Sequence, residues 1–367
     1  MSLAQEKSTE GAERQGGGRR RLSRFSSRLL AEWKHLSLPL KDAHVIAAIS
    51  GGADSVALLL ALDELLRAER LCVSLTVAHL DHGLRASSGE DSLWVENLAR
   101  RLGYAFELER VPVGERAGKA QDNLEQAARR TRYEFLSRAS RNNGARIVLT
   151  AHTMDDQAET VLLRLLRGSG AEGLGGMEPV RALGEAPDVL LARPLLNWAR
   201  RALTEEYCRE REVDFRLDEM NEDEAFARVR VRRRLLPLMQ GFNGRVVEAL
   251  ARTAQLLRED ARALNELAAQ LLEEARTSSA DGKRGLSIKA LMSAHFSLRR
   301  RALRLWLVEG RGDLRRLEMV HLMALERLLA GERGGRVVEL PGGATVTRRK
   351  GCLFFHGKGV ENEGERD

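Results

Sequence analysis

Short apolar runs alternate with amphipathic segments through the first half of the chain. The run Val45–Ile49 has the length of a strand, and an apolar segment long enough for a helix follows it after a glycine-containing turn. Similar runs occur at Leu71–Leu80, Phe106–Val113 and Arg146–Thr150, and helical patterns lie between and after them. Apolar strands that alternate with helices are typical of a parallel sheet covered on both faces. The pattern therefore predicts an α/β domain with a doubly wound, mostly parallel sheet.

The pattern changes after Gly168. The glycine-rich stretch Gly168–Pro194 predicts a loop, and the polar stretch Thr277–Gly285 predicts a linker. Helices are predicted in three further segments: Trp198–Glu212, Ala225–Glu274 with an interruption near Gly241–Gly244, and Leu286–Leu329. Three C-terminal segments predict short antiparallel strands: Arg336–Leu340, Thr345–Arg349 and Leu353–His356. A mainly helical domain with a small C-terminal β element is thus expected.

Length and composition divide the chain further. Because 367 residues exceed one ordinary core, we predict a catalytic domain over residues 22–240 and a helical domain over residues 241–367. Residues 1–21 are polar and end in three arginines, which predicts a disordered basic tail. The net charge of +7 is carried mostly by arginine and favours an anionic partner such as a nucleic acid.

The three cysteines are far apart in the sequence and form no Cys-x-x-Cys motif, so the sequence indicates neither a disulfide framework nor a zinc or iron–sulfur site. The N-terminus lacks the apolar core of a signal peptide, and the longest apolar run, Val56–Leu62, is too short to span a membrane. We therefore expect a cytoplasmic protein without a membrane partner.

The turn after the first predicted strand has the composition of a pyrophosphate site. Glycines allow the backbone to approach an anion, and the amides of the following helix point toward it. Serine hydroxyls add donors, and Asp54 can cap the helix or hold Mg²⁺. No Gly-Lys-Ser/Thr occurs in the chain, so the turn is not a Walker loop. A glycine turn that binds nothing is the alternative. The predicted loop residues are Ser50, Gly51, Gly52, Ala53, Asp54 and Ser55.

A second polar stretch follows the fourth predicted strand. On a helix entered at His152, the spacing places His152, Asp156 and Glu159 on one face. Two carboxylates can bind an ammonium group and later accept a proton. A solvated polar helix face is the alternative. We favour a functional role because the stretch begins at the carboxyl end of a strand, where ligands of doubly wound sheets bind.

Two other stretches are candidates for contacts with a nucleotide or a phosphate. Arg129 and Arg132 share a helix face beside Tyr133, and Arg129 can contact a phosphate or a developing negative charge. For Arg132 and Tyr133, packing is an equally good explanation. His79 and Asp81 end the second predicted strand, where an adenine ring would lie beside the first strand.

In this order the motifs resemble the PP-loop family of N-type ATP pyrophosphatases and, within it, the tRNA(Ile)-lysidine synthetases. The resemblance is close over residues 40–240 and looser over residues 245–357. It is carried by Ser50–Ser55, Asp81–Arg85, Arg129–Tyr133, Ala151–Thr160, Leu165–Gly170, Gly173–Met177, Arg193–Leu196, Asp218, Asn221 and Leu235–Leu238.

The resemblance implies a ligase that uses ATP to adenylate the C2 oxygen of the wobble cytidine of tRNA(Ile) with a CAU anticodon. Free L-lysine then replaces AMP and leaves lysidine. It further implies that Asp54 helps to hold Mg²⁺, that Asp156 and Glu159 bind the lysine ammonium group, and that His152 positions groups or transfers a proton. The arginines implied to follow the tRNA phosphates are Arg228, Arg230, Arg232 and Arg233.

The chain departs from the family pattern at Val229, where relatives commonly have asparagine. It also stops soon after Phe355, which resembles the shorter members of the family. The alternatives are a tRNA thiolation enzyme, which would need cysteines for sulfur transfer, an amide synthetase such as an NAD synthetase, and a non-catalytic RNA-binding protein. The oligomeric state stays open, with a homodimer among the alternatives.

Overall fold

The computed structural model describes residues 21–83, 88–111, 124–184, 186–216, 223–278, 284–313, 316–331 and 337–357. The predicted basic tail lies outside these residues except for Arg21, and the motif residues Asp218 and Asn221 lie outside them as well. The chain forms two compact units. The first comprises Met1–Gly168 and Gly176–Arg252, and the second comprises Ser169–Gly175 and Thr253–Asp367.

The sheet of the first unit confirms the predicted doubly wound α/β class. Its strands are β1 (Lys41–Ala48), β2 (Cys72–Asp81), β3 (Ala105–Arg110), β4 (Ile147–Thr150), β5 (Val180–Leu183) and β6 (Ala186–Ala192). They lie in the order β3-β2-β1-β4-β6-β5. Neighbouring strands pair in parallel from β3 to β6, and β5 pairs antiparallel with β6.

The helices of the first unit surround this sheet. They are α1 (Arg24–His35), α2 (Ala53–Arg67), α3 (Ser88–Leu102), α4 (Leu124–Asn142), α5 (Met154–Leu166), α7 (Arg201–Glu210), α8 (Ala227–Arg230) and α9 (Leu236–Phe242). The short helix α6 (Ala171–Leu174) belongs to the second unit. A π-helical turn, Val231–Leu235, connects α8 to α9. Helix α10 (Val246–Ala275) begins in the first unit and ends in the second.

The central strand β1 is apolar at successive positions because both of its faces are buried. Val45 and Ala47 belong to the core that includes the leucines of α2, whereas Ile46 belongs to a second core with Phe135 of α4. A strand with helices on both sides has no face left for polar side chains. This burial explains the unbroken apolar run on which the strand was predicted.

The order of the strands fixes where a ligand can enter. From β1 the chain continues to β2 on one side, whereas β4 pairs with β1 on the other side, so the sheet has its switch point between β1 and β4. Ala48 pairs with Thr150, and Ser50 and His152 therefore each lie two residues beyond a paired strand end. The two polar stretches selected from the sequence flank this crevice.

The prediction of a loop over Gly168–Pro194 is wrong. The segment contains the short helix α6 and the strands β5 and β6, and β6 pairs in parallel with β4. The sequence of β6 does not resemble a typical strand, because Pro187 and Asp188, two residue types that are rare in strands, precede the buried Val189 and Leu191. The predicted linker Thr277–Gly285 likewise contributes to strands.

The second unit contains the remaining helices and strands, of which β9 to β11 match the three predicted C-terminal strands. Its helices are α11 (Ile288–Ser293), α12 (Phe296–Arg311) and α13 (Met319–Ala330), and its strands are β7 (Arg276–Ser278), β8 (Arg284–Ser287), β9 (Val337–Glu339), β10 (Thr345–Arg349) and β11 (Cys352–His356). These strands pair antiparallel in the order β7-β8-β11-β10-β9. None of the helices among the described residues has the length and apolarity needed to cross a bilayer.

Candidate active site

The loop between β1 and α2 has the geometry expected of an anion site. Gly51 has φ +91°, a conformation that favours glycine, and it turns the chain from the strand into the helix. The hydroxyl of Ser55 accepts a hydrogen bond from the Ser50 amide at 3.2 Å and donates one to the carbonyl of Gly52 at 2.8 Å. The amides of Ala53 and Asp54, in the first turn of α2, find no acceptor among the described residues. They are therefore available to a bound anion.

Asp54 is the acidic group of this loop. Its side chain accepts a short hydrogen bond from the Thr204 hydroxyl, and its other carboxylate oxygen lies 3.6 Å from Nε of Arg201. Burial and the nearby negative charge of Asp156 together raise the pKa of Asp54 to about 7, although Arg201 and Thr204 oppose the shift. The loop thus holds a carboxyl group whose negative charge its surroundings only partly compensate.

The stretch after β4 forms the second half of the site. Helix α5 begins at Met154, so His152 precedes the helix and Asp156 lies in its first turn. The Asp156 carboxylate accepts hydrogen bonds from the amide of Thr153 at 2.8 Å and from its hydroxyl at 3.0 Å. Burial alone would raise the pKa of Asp156, but Arg201 and Arg228 outweigh burial and lower the pKa to about 2.

His152 is neutral at physiological pH. The Thr150 hydroxyl and Nδ1 of His152 share a hydrogen bond of 2.9 Å. Burial, reinforced by the positive charges of Arg193 and Arg132, lowers the pKa of His152 to about 3 despite the opposing charge of Asp156. Its Nε2 makes no hydrogen bond within the described residues. In the tautomer whose Nδ1–H donates to the Thr150 hydroxyl, this nitrogen is unprotonated and can accept a proton from a ligand.

Glu159 is fully buried and surrounded by arginines. Its Oε2 accepts a hydrogen bond of 2.9 Å from Nε of Arg228, and its Oε1 accepts one of 2.6 Å from Nε of Arg232. Nη1 of Arg201 lies 3.6 Å from the same Oε1. This carboxylate therefore fixes three guanidinium groups beside Asp156.

Arg201 links the two halves of the site, and the sequence did not single it out. Besides Asp54 and Glu159, its guanidinium lies 3.4 Å from the Asp156 carboxylate. Burial would lower the pKa of Arg201, but the three carboxylates raise it above its usual value. Arg201 is the first residue of α7 and belongs to no spacing pattern shared with the two motifs. The sequence contained no signal for this contact.

The residues predicted beside the adenine lie at the end of β2. Nδ1 of the buried His79 and the carbonyl of Ile49 share a hydrogen bond of 2.7 Å, and burial lowers the pKa of His79. Burial alone would raise the pKa of Asp81, but hydrogen bonds from the Gly83 amide and Arg110 lower it. His79 thus joins β2 to the residue after β1, and Asp81 joins the end of β2 to the end of β3. Their contact with ATP stays a prediction.

The arginines predicted to contact tRNA divide into two kinds. Arg228 and Arg232 bind Glu159, whereas Arg230 donates hydrogen bonds to the carbonyls of Glu224 and Ala225 and is exposed, as is Arg233. Val229, at the position that departs from the family pattern, is buried. The exposed pair has the position that a phosphate contact requires, and its role stays a prediction.

The donor set at Asp54 fits Mg²⁺ in one specific way. No group of three or more acidic, histidine or cysteine side chains with metal-site geometry occurs in the part of the chain that the structure describes. Mg²⁺, however, is commonly held by one or two carboxylates together with substrate phosphates and water. Asp54, with its pKa raised by burial and by Asp156, is a carboxylate whose charge a bound cation would neutralise.

The fold and the site together define a PP-loop domain, and residues 25–239 match the family of that description. Residues 286–354 match the TilS substrate binding domain. The chain belongs to the tRNA(Ile)-lysidine synthase family. It is 42% identical to the enzyme of Salinispora tropica over 87% of this chain and 93% of the relative.

Other relatives are longer than this chain. The tRNA(Ile)-lysidine synthase of Geobacter sulfurreducens is 39% identical over 85% of this chain, which spans 64% of that relative's length. The tRNA(Ile)-lysidine synthase of Thermus thermophilus is 41% identical over 87% of this chain, which spans 58% of that relative's length. A solved structure with the same fold is the U34-tRNA thiolase NcsA of Methanococcus maripaludis, with a TM-score of 0.54 at 14% identity, covering 64% of this chain and 80% of the thiolase.

Proposed function

We propose that this chain ligates free L-lysine to C2 of the wobble cytidine of tRNA(Ile) with a CAU anticodon, at the expense of ATP. In the first step the C2 oxygen attacks the α-phosphate of ATP and pyrophosphate leaves. In the second, the ε-amino group of lysine attacks C2, the C2–O bond breaks, and AMP leaves. Family membership supports this reaction, and the contact of Arg201 with both Asp54 and Asp156 carries the proposal, because it joins the two motifs in one centre.

The first half of the site suits the departure of pyrophosphate. The amides at the N-terminus of α2 and the Ser50 hydroxyl favour negative charge that moves onto the leaving group, whereas the Ser55 hydroxyl, which donates to the Gly52 carbonyl, holds the turn. Mg²⁺ held by Asp54 would neutralise phosphate charge there. Activation of the oxygen as a phosphate ester is required because an unmodified C2 oxygen is a poor leaving group.

The second half suits a cationic amine. Asp156 stays ionised because its pKa is lowered to about 2, so it can bind the lysine ammonium group at physiological pH. The attacking amine must lose a proton, and neutral His152 is the candidate acceptor beside Asp156. Glu159 is already bound by three arginines, so we assign it to positioning rather than to direct contact with lysine.

Sulfur transfer to tRNA is less well supported by the side chains. Cys208 donates a hydrogen bond of 3.5 Å to the carbonyl of Ala53, but burial and the charge of Asp54 raise the pKa of its thiol to about 12. A thiol that stays protonated is a poor nucleophile. Cys72 is exposed at the start of β2, and Cys352 belongs to the second unit. We place the reaction in the cytoplasm, where its three substrates occur.

The test is incorporation of radiolabelled lysine into a tRNA(Ile) transcript. We expect ATP-dependent labelling, with one AMP and one pyrophosphate released per lysine, when the anticodon is CAU. A matched transcript with uridine at the wobble position should take no label. Failure of lysine to enter the CAU transcript, with entry of sulfur from labelled sulfide, would show that the chain is a thiolation enzyme.

A further inference from the structure

Three arginines and a tyrosine beside the site form a positively charged cluster that contains no acidic side chain. They are Arg129 and Tyr133 of α4, Arg181 of β5 and Arg193 directly after β6, and we call them the arginine–tyrosine cluster. The guanidinium carbons of Arg129 and Arg181 lie 5.4 and 4.8 Å from the centre of the Tyr133 ring. Within the described residues, none of the three arginines forms an ion pair with a carboxylate.

Arg193 shows that this charge lacks compensation inside the protein. Its residue is 1% exposed, its Nη1 donates a 2.6 Å hydrogen bond to the carbonyl of Glu178, and its buried Nε has no hydrogen-bond partner. Burial and the positive charges nearby lower its pKa, and Tyr133 opposes them. A buried guanidinium with an unused donor is unfavourable unless a ligand supplies an acceptor.

The nearby arginines also lower the pKa values of Tyr133 and of the neighbouring Arg164. Burial would raise the pKa of the Tyr133 phenol, but Arg129 and Arg193 and a hydrogen bond from Arg181 outweigh burial and lower it. Arg164, whose Nη1 donates to the carbonyl of Gly176 at 2.8 Å, also has a pKa lowered by burial and by Arg129. Such a cluster is suited to an oxyanion, which guanidinium groups bind through paired hydrogen bonds.

The topology places the cluster next to the reaction centre. Strand β6 is the parallel neighbour of β4, so Arg193 follows one strand end just as His152 follows the next. The positive charge of Arg193 also contributes to the lowered pKa of His152. The nucleotide loop follows β1, on the other side of β4 from β6. The cluster is therefore separated from the loop by a strand.

We propose that the arginine–tyrosine cluster is an oxyanion subsite that binds an anionic group of lysine or of the tRNA, and not the phosphates of ATP. The assignment rests on the proposed function. Two such groups share this chemistry: the α-carboxylate of lysine and a phosphodiester that flanks the reacting cytidine. An ammonium group at Asp156 and an oxyanion at the cluster would fix a substrate on both sides of His152.

The test uses Arg181→Gln, because Arg181 is half-buried whereas Arg193 is 1% exposed, so that truncation of Arg181 disturbs the packing less. Arg130→Gln is the matched control, since Arg130 follows Arg129 on α4 and makes an exposed ion pair with Glu134. Binding of L-lysine, of cadaverine and of tRNA(Ile) is measured by calorimetry without turnover. Cadaverine has the two amines of lysine but lacks its carboxylate.

If the carboxylate binds here, Arg181→Gln weakens lysine binding about tenfold and leaves cadaverine binding unchanged. If a phosphodiester binds here, lysine binding is unchanged, tRNA affinity falls several-fold, and its salt slope falls by about one. Either result supports the subsite. Equal behaviour of Arg181→Gln and Arg130→Gln, or a change confined to ATP binding, overturns it. Because no turnover is needed, normal binding without lysine incorporation would contradict the proposed function and leave the subsite standing.

Discussion

The two halves of the site are built from the same element and differ in how their charges are satisfied. Each is a turn from a strand into a helix, after β1 in one case and after β4 in the other. In the loop, the charge of Asp54 is opposed by burial and by Asp156. In the acidic helix, Asp156 and Glu159 are bound by arginines and by the Thr153 amide.

This difference separates ligand-binding groups from groups that hold the site together. A carboxyl group with a raised pKa is stabilised when a cation binds beside it, so Asp54 gains most from a metal ion. A carboxylate already bound by three arginines gains little from another cation, so the contribution of Glu159 is to the position of those arginines. Asp156 lies between the two extremes, since its Oδ1 contacts one arginine, Arg201, and its Oδ2 accepts hydrogen bonds from Thr153.

The largest expected effect is on turnover in Asp54→Asn. We expect kcat to fall about a thousandfold, or about 4 kcal/mol, because the amide cannot hold a metal ion against the phosphates. The fold should survive, since the Thr204 hydroxyl can still donate to the amide oxygen. Steady-state AMP release with circular dichroism of both proteins checks the prediction.

Asp42→Asn is the control for that experiment, because Asp42 is an exposed aspartate at the start of β1 with φ +54°, a conformation that asparagine tolerates. Its activity should equal that of the unsubstituted protein. A kcat for Asp54→Asn above one tenth of that value would remove the metal-holding role.

A smaller effect is expected on the stability of Glu159→Gln. The substitution leaves Arg201, Arg228 and Arg232 without their shared partner, and removal of one member of a buried ion pair costs about 3 kcal/mol. Urea denaturation measures this free energy of unfolding. In Glu134→Gln, where the ion pair is exposed, the loss should stay below about 1 kcal/mol. Equal losses in the two variants would contradict the positioning role of Glu159.

The sequence predicted those parts of the molecule that depend on local pattern. The glycine turn after Ile49 and the polar stretch after Thr150 were found because strand ends and their motifs are adjacent in the chain. Glycine at position 51 permits the positive φ of the turn, and the apolar run of β1 matches a strand that is buried on both faces. Both features can be recognised in a single sequence. For the same reason, strands β1 to β4 and β9 to β11 were predicted within a few residues of their observed ends, whereas β5 to β8 were not predicted as strands.

The missing parts depend on contacts between distant residues. Arg201 meets carboxylates that lie 42 or more positions earlier in the chain, and no local pattern encodes such a contact. Strand β6 was missed because its pairing with β4, rather than its own composition, makes it a strand. The pairing of Arg228 and Arg232 with Glu159 was hidden for the same reason, since an arginine run on the surface and one that binds a buried carboxylate look alike in sequence.

The smallest expected effect distinguishes the two carboxyl groups by the pH dependence of stability. A folded-state pKa of about 7 for Asp54, above the usual 3.8, gives a stabilising contribution that is complete below about pH 4 and is lost as the pH rises through 7. The asparagine side chain of the Asp54→Asn variant cannot titrate. The stability of Asp54→Asn relative to the unsubstituted protein should therefore rise by about 2 kcal/mol between pH 5 and pH 7.

Asp156→Asn is the comparison that sharpens this result. The folded-state pKa of Asp156 is lowered to about 2, so its contribution is complete above about pH 4 and is lost only as the pH falls toward 2. Between pH 5 and pH 7 the difference in stability between Asp156→Asn and the unsubstituted protein should be nearly constant. The one expected change arises because loss of the Asp156 charge lowers the pKa of Asp54. Urea denaturation at four pH values measures both curves. A flat difference for Asp54→Asn would mean that the loop carboxylate is as well satisfied as the one on the acidic helix, and the contrast between the two halves of the site would be lost.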